Sequence, residues 1–325
     1  MGALASSDDN DRKSINAFRS LGACLGSGIG AVAVPMIVKM FGGLKDHKVI
    51  NSSDSPAIFR SAVFMGVLIV IGCLVHYFTT KERVKQTSDN EDNIGIIETY
   101  RMLFKCKSWV RNMLYIMSYG VSTCLLTSSI TYYCAYVLNN SSLATPVMAV
   151  YLLFSIIFSI LTPKIDTLLG RKKTMIVAAL VQIAGKIPFI IDPYNVINAY
   201  INAISAGIGL TMTFILFNTN RNSISDIVEI QNGRRLDTMV STGDNLASKI
   251  AEAAVDKLFL VALAAAGFSA KLADQGLLQS VATQNTINAL LGWIPALVAV
   301  FMAVFASLID TQKEYAEAMA QKEGK

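Results

Sequence analysis

The feature that most constrains this chain is a series of eight long apolar runs, at about residues 15–40, 58–79, 109–137, 145–169, 174–191, 196–218, 239–267 and 286–310. Crossing the hydrocarbon core of a bilayer takes about 20 mainly apolar residues in a helix. Lipid offers no partner for backbone N–H and C=O groups, so segments of this length must satisfy them internally, as helices do. The expected fold is therefore all-α: a polytopic membrane protein of about eight transmembrane helices. Composition agrees, since 53% of the 325 residues are hydrophobic and only 16% charged, against roughly 25% charged in an ordinary soluble domain. Small residues within several runs, among them Gly22, Gly26, Gly30, Gly207 and Gly209, allow helices to approach closely in lipid.

The formal charge is +5, but the basic residues cluster in certain connections and form no extended stripe, which argues for membrane topology and against nucleic-acid binding. One set of connections carries Arg12 and Lys13, then Lys81, Arg83 and Lys85, then Arg171, Lys172 and Lys173, then Arg221, Arg234 and Arg235, and finally Lys313 and Lys322. The alternate set is nearly bare, apart from Lys45 and Lys48 at 41–57 and Lys271 at 268–285. The positive-inside rule then puts both termini and the 80–108 segment in the cytoplasm, as an even number of helices requires. The expected location is a bacterial-type inner or plasma membrane. The first fourteen residues are polar and acidic and lack the pattern of a cleavable signal, so insertion is expected to begin at the first long apolar run. Within 80–108, the piece IIETYRMLF has the pattern of an amphipathic helix at the interface.

Catalytic readings find little support. His47 and His76 are isolated, and no GxSxG, HExxH or phosphate-binding loop is present. The five cysteines form no CxxC pair and read as small packed hydrophobes, so neither metal nor disulfide chemistry is expected, and the chain is not expected to be an enzyme.

Three motifs carry a family resemblance. PKIDTLLGRKKTM, from Pro163, resembles the loop between the second and third helices of a major facilitator half, although Gly170 follows Asp166 by four positions and not three. NSISDIVEIQNGRRLDTMVSTGDNLASKI, from Asn222, resembles the loop between the tenth and eleventh helices of the glycoside-pentoside-hexuronide cation symporters, the melibiose permease group. Asp226, Ile227, Val228, Glu229, Gly233 and Arg235 match its run, and Lys249 falls on its helical lysine. GALASSDDNDRKSINAFRSLGACLGSGIGA resembles the join between that family's fourth and fifth helices, with Arg12 and Arg19 at its basic positions.

The resemblance implies a partial major facilitator fold in which the eight spans correspond to helices five to twelve. Residues 1–80 would end an amino-terminal bundle, 81–108 form the cytoplasmic middle loop, 109–312 a six-helix bundle and 313–325 a cytoplasmic tail. It further implies alternating-access symport of a small polar solute such as a sugar or glycoside, driven by Na+ or H+, with no other cofactor. The helices that usually hold the cation would lie in a missing four-helix amino-terminal piece. A non-transporting membrane protein, such as a repurposed permease fragment, a sensor or an assembly partner of that piece, is the alternative.

Candidate residues centre on 221–267, where a polar, charge-dense loop is expected to lead into an apolar helix. Lys249, Glu252 and Asp256 are spaced i, i+3, i+7 and share a helical face, as either a coupling relay or an interhelical charge cluster. Tyr119, Thr123 and Thr127 also share a face, and with Asn218 they suit either polyol recognition or helix packing. Cytoplasmic gate candidates are Arg12, Arg19, Asp166, Arg171, Asp226, Glu229, Arg234, Arg235 and Asp244, with Arg19 equally readable as a snorkelling anchor.

Overall fold

The computed structural model describes residues 9–43, 55–79, 95–140, 143–233, 236–274 and 278–323, with backbone alone at 9–10, 12, 24, 27–35, 96, 232, 274 and 321–323. Among them every regular element is helical. In chain order these are α1 (Asp9–Met40), α2 (Ser55–Thr79), α3 (Ile96–Lys105), α4 (Lys107–Tyr136), α5 (Ala144–Leu169), α6 (Arg171–Ile191), α7 (Val196–Asn232), α8 (Asp237–Ala265) and the short α9 (Ala270–Asp274). The chain continues as α10 (Val281–Asn288), a π turn at Ala289–Trp293, α11 (Ile294–Leu308) and α12 (Thr311–Glu323).

A long helix stands at each of the eight expected positions. Six of these stretches are long and apolar enough to cross a membrane: α2, α4, α5, α6, α7 and the run beginning at Val281. The other two, α1 and α8, have 32 and 29 residues. The charges of α8, from Asp244 to Lys257, keep it out of that apolar set.

The 221–237 stretch departs from expectation. It is not a loop at its start: α7 continues unbroken to Asn232, 37 residues from its origin. Nothing between Arg221 and Asn232 breaks a helix, and the first residue that does is Gly233, which caps it in the left-handed conformation at φ +69°. The polar residues of this stretch thus extend a transmembrane helix as a rod. Arg234 and Arg235 lie outside the described residues, as does the side chain of Arg12.

Helix α7 is the axis of the molecule and is buried along most of its length, against α5, α6, α4 and α1. Two glycines allow that packing: a Cβ on Gly207 would lie 2.5 Å from the Tyr151 carbonyl oxygen of α5, and one on Gly209 would lie 2.6 Å from that of Ala178 on α6. Three apolar clusters stack along the bundle. One gathers Leu126, Tyr133, Phe189, Ala203, Phe259 and Leu291, near the 138–143 and 192–195 connections. A middle one holds Tyr115, Met175, Met212, Leu216 and Met302. The third joins Leu103 of the amphipathic α3 to Trp109, Ile224, Val228 and Val240, beneath the helical extension of α7.

Helix α2 differs from the bundle. It packs chiefly on α1, and its large apolar side chains from Phe59 to Phe78, the half-buried Met65 apart, are exposed. In a membrane that surface faces lipid or further helices. Helix α1 meets the bundle through one face, where Lys13, Asn16, Ala17 and Ser20 are all buried at i, i+3, i+4 and i+7.

Candidate solute cavity and cytoplasmic contacts

A cavity of about 590 Å³ lies among α1, α4, α7 and α8. All seven residues expected to bind solute or couple to it, Lys249, Glu252, Asp256, Tyr119, Thr123, Thr127 and Asn218, line this single space. The helical periodicity of α4 and α8 aims each set at the other, and Gly120 allows the two helices to meet, since a Cβ there would lie 2.9 Å from Ser248 Oγ.

The charged groups of α8 are tied in two ways. Lys249 donates to Glu252 Oε2 at 2.6 Å, and Ser248 donates to its other oxygen at 3.0 Å. Lys249 itself is 75% exposed, so its ammonium stands at the open side of the cavity. Asp256 instead accepts from α4, from Cys124 Sγ at 3.0 Å and Ser128 Oγ at 3.1 Å. The three residues thus share a face but do not form one ion cluster: Lys249 pairs with Glu252, while Asp256 is held by neutral donors. Lys257 is exposed and takes no part in the lining.

The hydroxyls on α4 are partly committed. Thr123 donates to the Tyr119 carbonyl at 2.9 Å and Thr127 to that of Thr123 at 3.0 Å. Their protons are used within the helix and their oxygen lone pairs are left to accept from a solute's hydroxyls. Tyr119 joins Phe214 and Phe217 in an aromatic cluster with ring centroids 5.2–5.9 Å apart, which gives the cavity a flat apolar wall.

The structure adds residues that sequence reasoning did not select. Arg221, expected in a loop, is a buried member of the cavity wall. Its Nε donates to Asp244 Oδ2 at 2.9 Å, and its Nη atoms donate to Asn218 and Asn245 at 3.2 and 3.3 Å. Its guanidinium also sits 5.8 Å from the centroid of Phe217. Asp244, expected beside Asp226, Glu229, Arg234 and Arg235, is therefore the counter-ion of Arg221, wholly buried. Asn218 orients that arginine while giving its own Nδ2 to the Phe214 carbonyl. The missed signal was spacing: on a continuous helix, Phe214, Asn218 and Arg221 stand at i, i+4, i+7. Cys124, Ser128, Asn245 and Ser248 complete the polar wall.

Arg19 is placed in this same cavity and not among the cytoplasmic contacts. Its guanidinium lies 6.0 Å from the centroid of Phe214, in the neighbourhood of Arg221. It is the contribution of α1 to the lining.

The other gate candidates separate by place. Asp166 is buried at the end of α5, with Lys13 of α1 at 3.0 Å and Arg171 Nε at 4.0 Å, and Arg171 also donates to Ser223 of α7 at 2.9 Å. Asn16 donates to Thr219 at 3.1 Å, and Ser20 pairs with Ser159 at 2.9 Å. Together these contacts close α1 against α5 and α7. Asp226 and Glu229 lie half-buried on the extension of α7. Helix α12 folds back onto the same end: Lys172 faces Asp310 at 3.7 Å, Arg111 faces Glu314 at 3.6 Å, and Thr311 donates to Asn220 at 2.8 Å. Among the described residues no group of three or more His, Cys, Asp or Glu is arranged to hold a metal ion.

The fold is that of an all-α polytopic membrane protein with a polar, aromatic-walled chamber among its helices. The chain belongs to the MFS/sugar transport protein family, whose model matches residues 1–312. The isoprimeverose transporter of Lactiplantibacillus pentosus is 22% identical over 293 residues, 89% of this chain and 58% of that protein. The chain thus spans a little over half the length of this relative. The fold is similar to that of FucP, a Major Facilitator Superfamily transporter solved in the outward conformation, with a TM-score of 0.62, 13% identity, and coverage of 94% of this chain and 70% of that one. A single-residue variant of the E. coli fucose:proton symporter gives a TM-score of 0.63 at 14% identity, with the same coverage.

Proposed function

We propose that this chain forms the solute-binding side of a cation-coupled sugar symporter that works by alternating access. The observation that carries the reading is the convergence of α1, α4, α7 and α8 on one 590 Å³ cavity that combines an aromatic wall with hydroxyl, carboxamide and carboxylate groups. Polar groups that fix orientation beside an apolar wall suit a hydroxylated ring. Two similar proteins, an isoprimeverose transporter and a fucose:proton symporter, are named as saccharide carriers, which supports a sugar or glycoside as the solute.

Coupling would involve Glu252 and Asp256. Glu252 is tied to an exposed lysine and Asp256 to neutral donors, so the two carboxylates respond differently when solute or a cation displaces their partners. The exposed apolar surface of α2 supports a further element: four more transmembrane helices, in the same polypeptide or separately encoded, that cover this surface and close the other side of the cavity. The buried Lys13–Asp166 contact would then be part of the cytoplasmic gate, with both termini of the chain on that side of a bacterial-type inner membrane.

The test is uptake of labelled disaccharide by vesicles carrying the protein together with its remaining helices, under imposed Na+ and pH gradients. Gradient-driven accumulation is expected, and Lys249→Ala abolishes it while leaving protein level unchanged. Full uptake in that variant retires Lys249. Absence of uptake from the complete protein, with saccharides and both gradients supplied, favours the non-transporting alternative.

A further inference from the structure

A second cavity, of about 240 Å³, shares no lining residue with the first. It lies at the end of the bundle that carries the 192–195 connection, between the end of α6 and the start of the Val281 run, where Phe189 and Pro193 face Asn285, Asn288 and Trp293. From these features we infer a binding site for a neutral hydroxylated ring, a single sugar unit, distinct from the main chamber.

Three independent features converge on this space. The first is Asn288, which is 91% buried by its 9% exposure, and whose Oδ1 has no hydrogen-bond partner. A buried carboxamide oxygen without a partner costs about 1–3 kcal/mol relative to a satisfied one, so Asn288 gains when its carboxamide turns to meet a donor held in the cavity that it lines. The second is Asn285, one turn earlier, exposed and lining the same cavity. The third is Trp293, whose indole is 58% exposed beside them.

The π turn explains how these three come to share a face. In an uninterrupted α-helix, five residues rotate by about 500°, which would leave Trp293 about 140° around the axis from Asn288. The π turn at Ala289–Trp293, closed by Ile294 N–H donating to the Ala289 carbonyl, adds one residue to a turn. Everything after it is set back by about 100°, so Trp293 takes the place of an i+4 neighbour of Asn288. Asn285, Asn288 and Trp293 then stand as i, i+3 and i+7 would. Gly292 seats the turn against α6, since a Cβ there would come 2.9 Å from the Phe189 ring. The π turn is thus the device that builds the site, consistent with the frequent placement of such turns at functional positions.

The lining determines the ligand class. It holds no charged side chain, so an ion has no counter-charge there. Two carboxamides supply donors and acceptors together, matching hydroxyl groups, and the indole supplies a flat apolar face. The volume falls below the roughly 300–1,000 Å³ of sites for drug-sized ligands, which suits one ring and not a disaccharide. Such a ring can arrive free from solution or as the headgroup of a glycolipid.

The two tryptophans give the experiment its signal, since Trp109 is buried and Trp293 exposed. The full protein in phosphatidylcholine and phosphatidylglycerol nanodiscs is titrated with methyl glucopyranoside in one arm and prepared with monoglucosyl diacylglycerol in the other. A saturable change in tryptophan emission is expected in at least one arm, lost in Trp293→Phe and retained in Lys249→Ala, whose side chain lines the main chamber and not this one. Asn288→Leu weakens the response about tenfold, the effect of losing one or two hydrogen bonds. If Asn288→Leu does not fold, the exposed Asn285→Ala provides the same comparison. A response only to the soluble glycoside assigns a free sugar, and one only to the lipid assigns a headgroup. No response in either arm, or a response that survives substitution of the asparagines, overturns the site.

Discussion

At Asp244 a carboxylate with no exposed surface meets the guanidinium of Arg221 at 2.9 Å, and Asn218 and Asn245 accept from Nη1 and Nη2. A pair like this is held by the mutual need of its members, because removing one leaves the other charged and buried, at a cost of about 3–5 kcal/mol. Asp244→Ala is therefore expected to lower the melting temperature in detergent sharply. The double variant Arg221→Met, Asp244→Leu should be more stable than Asp244→Ala alone, because neither charge remains; if both melt equally low, the pair is not what stabilises this region. Arg19 and Arg221 illustrate how residue-level reading reaches its limit. Both charges were visible in the sequence, but their common destination beside Phe214 and Phe217 depends on two helices separated by some 200 positions.

Helix α7 shows the same division at the level of elements. Its apolar first half is legible as a span, whereas its polar second half lacks the hydrophobic pattern by which a helix is recognised and was expected to be a loop. Local chemistry nevertheless favours the helix, since the first residue able to end it is Gly233. The position of α7 at the bundle axis makes its glycines contact points between backbones. Gly207→Ala forces a Cβ to within 2.5 Å of the Tyr151 carbonyl and must push α5 and α7 apart, at about 1–3 kcal/mol for overpacking. Gly66→Ala on α2, where a Cβ meets nothing within 4 Å, serves as the comparison. Thermal unfolding should distinguish them, with a clear loss for the first and none for the second.

For the molecule as a whole, the contacts of α1 join the first helix to the rest of the bundle. Lys13–Asp166, Asn16–Thr219 and Ser20–Ser159 form a continuous buried seam between α1 and helices α5 and α7. Asp166→Asn removes the negative charge from this seam while keeping its shape, and the buried Lys13 stays charged. In that variant a cysteine placed at the buried Ala17 is expected to react with N-ethylmaleimide several-fold faster than in the parent, because α1 separates from α5 and α7 more often. Equal rates would mean that the polar contacts at 16 and 20 hold the seam without the ion pair.

The sequence alone determined the all-helical membrane character, the positions of eight long helices and the one-sided arrangement of Lys249, Glu252 and Asp256. Each follows from local rules, since apolar length and a period of 3.6 residues act within a single segment. Tertiary structure decided the rest: the pairing of Arg221 with Asp244, the entry of Arg19 into the cavity, the seam at Lys13, and the carboxamide and indole brought together by a π turn. These depend on which helices become neighbours, and close packing between distant segments is a property of the assembled bundle that no single stretch of sequence contains.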